Sequence, residues 1–101
     1  MNAWKPTIGQ KDLLDAISDR DIERVKYLVK KRGVDPNFGY DVYIDKNPIV
    51  FASLMDPFDI AAWLIDEGGA EITNDVARFV TNVVGNVSVS NHIHKTLQRV
   101  K

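Results

Sequence analysis

Residues 47–69 read NPIVFASLMDPFDIAAWLIDEGG, which divides into two short apolar segments with a break between them. Asn47 can cap a helix that begins at Pro48, because asparagine accepts from free backbone N–H groups and proline needs no donor there. Asp56-Pro57 repeats this device before the second segment, and a glycine pair ends that segment. The stretch therefore predicts two short helices in succession.

The second of these helices is apolar around most of its circumference, through Phe58, Ile60, Ala61, Trp63, Leu64 and Ile65. A helix that is hydrophobic on all sides is normally buried. We therefore expect both of its sides to be covered and Trp63 to lie in the core.

An internal repeat appears when the chain is shifted by 36 positions. The matches keep helical spacing and end on a glycine: Leu13 with Ile49, Leu14 with Val50, Ala16 with Ala52, Ile22 with Phe58, Val25 with Ala61, Leu28 with Leu64, Val29 with Ile65 and Gly33 with Gly69. The first copy thus predicts another pair of helices. Thr7 and Gln10 have capping-box spacing ahead of its first helix, and Asp19 or Asp21 can cap its second.

The register fades after Ala70, although residues 76–84 keep helical spacing. Gly85-Asn86 is a turn signal, and residues 87–89 are short enough to be extended. Ser90 or Asn91 could then cap a last helix that holds Ile93, Leu97 and Val100. We predict a single domain over residues 1–101, with repeats at about 11–37, 38–73 and a degenerate one at 74–101.

These motifs resemble the ankyrin repeat over residues 11–75. Residues 47–52, NPIVFA, are similar to that family's Thr-Pro-Leu-His-x-Ala signature, with Val50 in place of the histidine. Residues 33–37, GVDPN, resemble its Gly-Ala-x-x-Asn ending. The link over 38–46 is longer than usual, and each copy has one extra residue before its last glycine. The resemblance implies an all-α solenoid of about three helical pairs with β-turn or finger loops, and a protein-binding role. A solenoid of generic helical pairs is the alternative.

Composition and charge narrow the classes of function. The 101 residues are 45% hydrophobic and 27% charged and include no cysteine, which suits a globular, cytoplasmic protein without disulfides. No apolar run is long enough for a membrane span. Residues 41–75 hold eight acidic side chains and one basic one, whereas residues 76–101 hold four basic and no acidic ones. This acidic block predicts a partner with a basic surface; a merely solvated face is the alternative.

Candidate chemistry is sparse. His92 and His94 point in different directions on a helix, so we predict surface histidines and no metal site. The serines lack a nucleophile setting, and the glycines form no phosphate-binding loop. We expect neither enzymatic activity nor a cofactor.

The link between the first two copies, residues 38–46, is the stronger candidate. Its aromatic and β-branched residues alternate with polar ones, which predicts an extended finger or irregular hairpin. Aromatic side chains inside a charged rim are typical of interfaces; packing of Phe38 and Val42 onto the helices is the alternative. Trp4 could fold back as an N-terminal cap over the stack. The predicted partner-binding residues are Phe38, Tyr40, Asp41, Tyr43, Asp45, Asp56 and Asp59.

Three functions follow from this pattern. The first is a small adaptor or inhibitor that binds a basic protein, for example an immunity or anti-defence protein that neutralises a nucleic-acid enzyme. The second is a homo-oligomer, in which the basic C-terminal segment of one copy meets the acidic block of another through Arg78, Lys95, Arg99 and Lys101. Nucleic-acid binding through that segment is disfavoured, because its cations are few and the acidic block opposes approach.

Overall fold

A computed structural model describes residues 4–99, and all regular secondary structure in this range is helical. The predicted all-α class is confirmed. The six helices are α1 (Ile8–Ser18), α2 (Ile22–Lys26, continued as a π-helix over Tyr27–Lys31), α3 (Pro48–Met55), α4 (Phe58–Asp66), α5 (Asn74–Arg78, continued as a π-helix over Phe79–Val84) and α6 (Val87–Arg99).

The helices pack as three successive pairs, α1 with α2, α3 with α4 and α5 with α6. The first helix of each pair contacts the first helix of the next, from α1 to α3 to α5. The second helices make the corresponding contacts, from α2 to α4 to α6. Two helical layers therefore share one core between them.

Burial recurs at the 36-residue offset. Both members of each matched pair are buried at Leu13 and Ile49, Leu14 and Val50, Ala16 and Ala52, Val25 and Ala61, and Leu28 and Leu64. Val76, Val80, Val89 and Ile93 continue the same core into the third pair. Each fully buried aliphatic side chain of this size contributes roughly 1.5–3 kcal/mol, so the repeated apolar pattern is what holds the pairs together.

The chain reversals recur at the same offset. Arg20 and Asp56, which follow α1 and α3, both have positive φ, at 56° and 66°. Gly33 and Gly69, which follow α2 and α4, have φ of 71° and 77°. A left-handed residue cannot continue a right-handed helix, so these positions are where each helix stops. Glycine adopts this backbone readily and aspartate tolerates it better than most residues do.

The extra residue before each terminal glycine is accommodated by a wider final turn. The N–H of Arg32 donates to the carbonyl of Tyr27 at 3.1 Å, and that of Gly68 donates to the carbonyl of Trp63 at 2.9 Å. Both bonds span five residues, which is the π-helical spacing.

The predicted caps of the first three helices are confirmed, and that of α4 is wrong. Thr7 and Gln10 form the capping box of α1, Asp21 caps α2, and Asn47 caps α3. Asp56 does not cap α4, because it occupies the left-handed position that ends α3. α4 begins after Pro57 without a side-chain cap.

The prediction for the third pair also needs correction. Residues 87–89 are helical instead of extended, because Asn86 caps α6 by accepting from the N–H of Val89 at 3.1 Å. Neither Ser90 nor Asn91 is the cap. Val100, predicted on this helix, lies outside the described residues.

The 36-residue register fades because the link between the second and third helical pairs has no segment that corresponds to residues 38–46. Thr73, the counterpart of Asn37, itself caps α5, so α5 begins at once. The buried Ile49 and Ser53 correspond to Val76 and Val80, an offset of 27. This offset is shorter than 36 by the length of segment 38–46.

α4 is not covered on both sides. Phe58 is 42% exposed, and Trp63 is half-buried instead of lying in the core. The side of α4 that carries Ile60, Ala61 and Leu64 is fully buried, whereas Trp63 packs against the core with part of its side chain exposed.

Candidate functional site

Residues 38–46, which we call the finger, are closed at their base by one buried side chain. Asn47 is 1% exposed, and its Nδ2 donates to the carbonyl of Phe38 at 2.9 Å. Its Oδ1 accepts from the N–H of Ile49 at 3.0 Å and from that of Val50 at 3.3 Å. The same amide thus caps α3 and joins the two ends of the finger.

A second network ties the finger to the loop that follows α4. The Tyr40 hydroxyl lies 2.7 Å from Oδ1 of Asn37 and 3.1 Å from the carbonyl of Glu71, and donates its proton between them. Oδ1 of Asn37 also accepts from the N–H of Glu71 at 2.8 Å, while its Nδ2 donates to the carbonyl of Gly69 at 3.0 Å. Tyr40 and Asn37 therefore link successive pairs, and Tyr40 belongs to the scaffold of the finger.

Burial raises the pKa of Tyr40 above its ordinary value of 10.0, and the nearby Glu71 carboxylate adds to the rise. The folded protein therefore keeps this proton after the unfolded chain has lost its own, so the Tyr40 contribution to stability is complete below pH 10 and declines as pH rises through the folded pKa. We expect Tyr40→Phe to reduce the loss of unfolding free energy seen in urea titrations between pH 9 and about 11. Equal pH slopes for both proteins would contradict the assignment.

The finger contains no hairpin; it ends in a single 3-10 turn, Ile44–Lys46, before Asn47. Asp41 begins the reversal by accepting from the N–H of Tyr43 at 3.0 Å. The predicted site residues divide here, since Phe38, Tyr40 and Tyr43 are half-buried whereas Asp41 and Asp45 are exposed.

Val42 forms the tip of the finger and is 85% exposed. The interpretation that Phe38 and Val42 pack onto the helices is therefore wrong for Val42, whereas the partly buried Phe38 does pack against the core. The tip thus presents one apolar side chain beside the exposed carboxylates of Asp41 and Asp45. Trp4 lies over the other end of the finger, where Nζ of Lys46 is 5.7 Å from its ring centre.

An open groove of about 340 Å³ separates the finger from α5; we call it the finger groove. Asp41 and Ile44 line one side of it, and α5 supplies the other side through Asp75, Arg78, Phe79, Asn82 and Val83. Val83 is 66% exposed, and Arg78 is held by Asp75 at 2.8 Å. The groove therefore combines exposed apolar surface with an acidic edge.

Asp56 and Asp59 lie away from the finger. Asp56 follows the last residue of α3, whereas the finger precedes its first, and the eight residues of α3 span about 12 Å. Asp56 instead lines a depression with Gly85 and Asn86. The structure groups Asp41 and Asp45 at one end of the helices and places Asp56 and Asp59 at the other.

His92 is not a surface histidine. Its side chain is 18% exposed, and its Nε2 lies 2.9 Å from Oδ1 of Asp66 on α4. The ring of Phe58 meets it edge-on, with centroids 5.8 Å apart. His94 is exposed on the same helix, so the divergence of the two histidines is as predicted. Within residues 4–99, no three His, Asp or Glu side chains are grouped as metal ligands.

Comparison of the chain with protein-family models, with curated proteins and with solved structures finds no match. Across the part of the chain that the structure describes, no helix has the length and apolar character needed to cross a bilayer.

Proposed function

We propose that the three helical pairs form a short ankyrin-like solenoid. The motif resemblance of residues 33–37 and 47–52 supports this, together with the successive contacts within each helical layer. Asn37 adds support, because it bonds one inter-pair loop to the next from the asparagine position of the Gly-x-x-x-Asn ending. A solenoid exposes a continuous surface along its repeats, which suits binding of a macromolecule.

We propose that the chain is a non-catalytic, cytoplasmic protein that binds a partner protein through the finger and the finger groove. The observation that carries this is the 85% exposure of Val42 beside Asp41 and Asp45, on a segment whose base is fixed by the side chain of the buried Asn47. An apolar side chain inside a charged rim is the arrangement typical of protein interfaces. The fixed base lowers the entropy lost on binding.

The partner that fits this surface has a basic rim around an apolar recess. Asp41, Asp45 and Asp75 supply carboxylates at the finger and the groove, while Val42 and Val83 supply the apolar contact. Complementary charge would mainly accelerate association and select the partner. An enzyme that acts on nucleic acid has such a basic surface. The chain would inhibit such an enzyme by covering that surface with the finger.

Two double variants with equal changes in charge test the proposal. Asp41→Asn/Asp45→Asn neutralises the finger, and Asp56→Asn/Asp59→Asn neutralises the opposite end. Asparagine keeps the acceptor oxygen that Asp41 uses and tolerates the left-handed backbone of Asp56.

Tagged versions of the wild-type protein and both variants are used for affinity capture from the native host, with mass spectrometry. We expect one protein to be captured by the wild type and by Asp56→Asn/Asp59→Asn, and to be lost with Asp41→Asn/Asp45→Asn and with Val42→Ser. Capture that survives the finger variants and fails with the Asp56/Asp59 variant would place the interface at the other end and overturn the proposal.

A further inference from the structure

A second groove, of about 470 Å³, lies between α2 and α4. We call it the α2–α4 groove. It is lined by Glu23, Lys26, Tyr27, Lys30, Lys31, Trp63 and Glu67. None of these residues belongs to the finger or to the finger groove. It is also the place where Trp63, expected in the core, is half-buried instead.

Aromatic rings and lysines alternate in this groove. Tyr27 is 50% exposed, and Nζ of Lys30 lies 6.0 Å from the ring centre of Trp63. Lys26 is partly neutralised by Glu23 at 3.8 Å, which leaves Lys30 and Lys31 as the exposed cations. Tyrosine and tryptophan are the residues that most often anchor interfaces. The groove therefore fits a segment with an apolar side chain flanked by carboxylates.

The finger of this chain has that chemistry, with Val42 exposed between Asp41 and Asp45. Within one molecule, however, the finger lies beside α5, while this groove lies between α2 and α4. The two surfaces can meet only between two copies. The charges also complement each other, because three lysines and two glutamates line the groove, whereas the finger carries two aspartates and one lysine.

We propose that the finger of one copy docks into the α2–α4 groove of a second copy. Val42 would lie against Tyr27 and Trp63, and Asp41 and Asp45 would meet Lys30 and Lys31. This surface differs from the C-terminal basic segment, in which Arg78 is already held by Asp75 and Lys101 and the Arg99 side chain lie outside the described residues. The inference needs no other protein, so it is independent of the function proposed above.

The contact joins two different surfaces, so two assemblies are possible. Two copies can exchange fingers and close a dimer, or the finger of each copy can dock into the next copy and extend a chain. In both cases it covers the finger. Self-association would then compete with binding of a partner protein at the same tip.

A charge exchange tests the pairing, with sedimentation equilibrium at low salt and at 0.5 M salt as the measurement. We expect the wild type to associate with increasing concentration and to dissociate in high salt. Lys30→Glu/Lys31→Glu and Asp41→Lys/Asp45→Lys should each weaken association by at least about tenfold. An equimolar mixture of the two variants should associate again, because the unchanged finger of one variant meets the unchanged groove of the other, and the reversed finger meets the reversed groove.

Lys5→Glu/Lys11→Glu is the matched control, since both lysines are exposed and lie outside the groove; we expect it to associate like the wild type. Circular dichroism melts establish that each variant is folded. A wild type that remains monomeric at low salt up to millimolar concentration overturns the inference. So does a mixture of the two variants that stays monomeric. Lys30→Glu/Lys31→Glu keeps the finger unchanged, so capture of a partner protein by this variant tests the proposed function and not the self-association.

Discussion

Asn47→Ala is expected to lower the free energy of unfolding by about 2–4 kcal/mol, a large share of the roughly 5–15 kcal/mol of a domain this size. Loss of the cap costs about 1 kcal/mol, because the N–H groups of Ile49 and Val50 lose their acceptor. Loss of Nδ2 leaves the carbonyl of Phe38 without this donor, which adds about 1–3 kcal/mol.

Urea denaturation monitored by circular dichroism measures this loss, and two variants divide it into its parts. Asp21→Ala removes a more exposed cap, that of α2, so it should cost only about 1 kcal/mol. Asn47→Asp keeps an acceptor for the first turn of α3 but cannot donate to Phe38 while ionised. Its cost should therefore be reduced at low pH, where the carboxyl is protonated. Equal costs for Asn47→Ala and Asp21→Ala would contradict the double role of Asn47.

The helical pairs could be predicted from the sequence because their determinants are local. Proline after asparagine, the spacing of Thr7 and Gln10, and glycine after an apolar stripe each act within one helical turn. The 36-residue match also predicted from the sequence alone that Leu13 and Ile49 occupy equivalent positions in their helical pairs. These signals coincide with the observed helix starts at Ile8 and Pro48.

Asp56 shows where local rules conflict. Asp-Pro has the same appearance as Asn47-Pro48, and both residue types are good helix caps. The turn between α3 and α4 needs a left-handed residue, and Asp56 supplies it. Arg20 has the same backbone at the equivalent position of the first pair, although its sequence gives no sign of it. The repeat offset was therefore a better guide at this turn than the residue type.

The roles of the finger residues depend on contacts between distant parts of the chain. Tyr40 was predicted to bind a partner, but its hydroxyl reaches Asn37 and the carbonyl of Glu71, 31 positions away. Packing of Val42 onto the helices was the alternative to the interface interpretation, and Val42 is exposed instead. The sequence pattern of the nine finger residues cannot distinguish the anchored Tyr40 from the exposed Val42, because both side chains alternate with polar neighbours.

The α2–α4 groove was missed for a related reason. Helical spacing places Trp63 among aliphatic residues, which normally indicates the core. Trp63 is only half-buried, however, and it lines the same groove as the exposed Tyr27. The alternation of Tyr27 with Lys26, Lys30 and Lys31 was the one available signal.

Gly39→Ala is expected to cost about 3 kcal/mol or more, because two effects coincide at this position. Its φ is +73°, where an alanine is less stable than glycine by about 1–2 kcal/mol. A methyl group there would also lie 2.6 Å from the backbone nitrogen of Asn47 and 3.0 Å from the carbonyl oxygen of Tyr43. Backbone atoms cannot rotate away, so the base of the finger must shift.

Gly33→Ala and Gly69→Ala separate the two effects. Their φ values, +71° and +77°, match that of Gly39, but nothing lies within 4 Å of the added methyl group. Each should therefore cost only about 1–2 kcal/mol in urea denaturation. The excess for Gly39→Ala measures how closely the finger approaches Asn47. If all three glycines proved equally costly to replace, the finger would have to be held less tightly at its base than Asn47 indicates. A finger so loosely held would no longer present Val42 and its carboxylates on a rigid support, and that rigidity is what both binding proposals require.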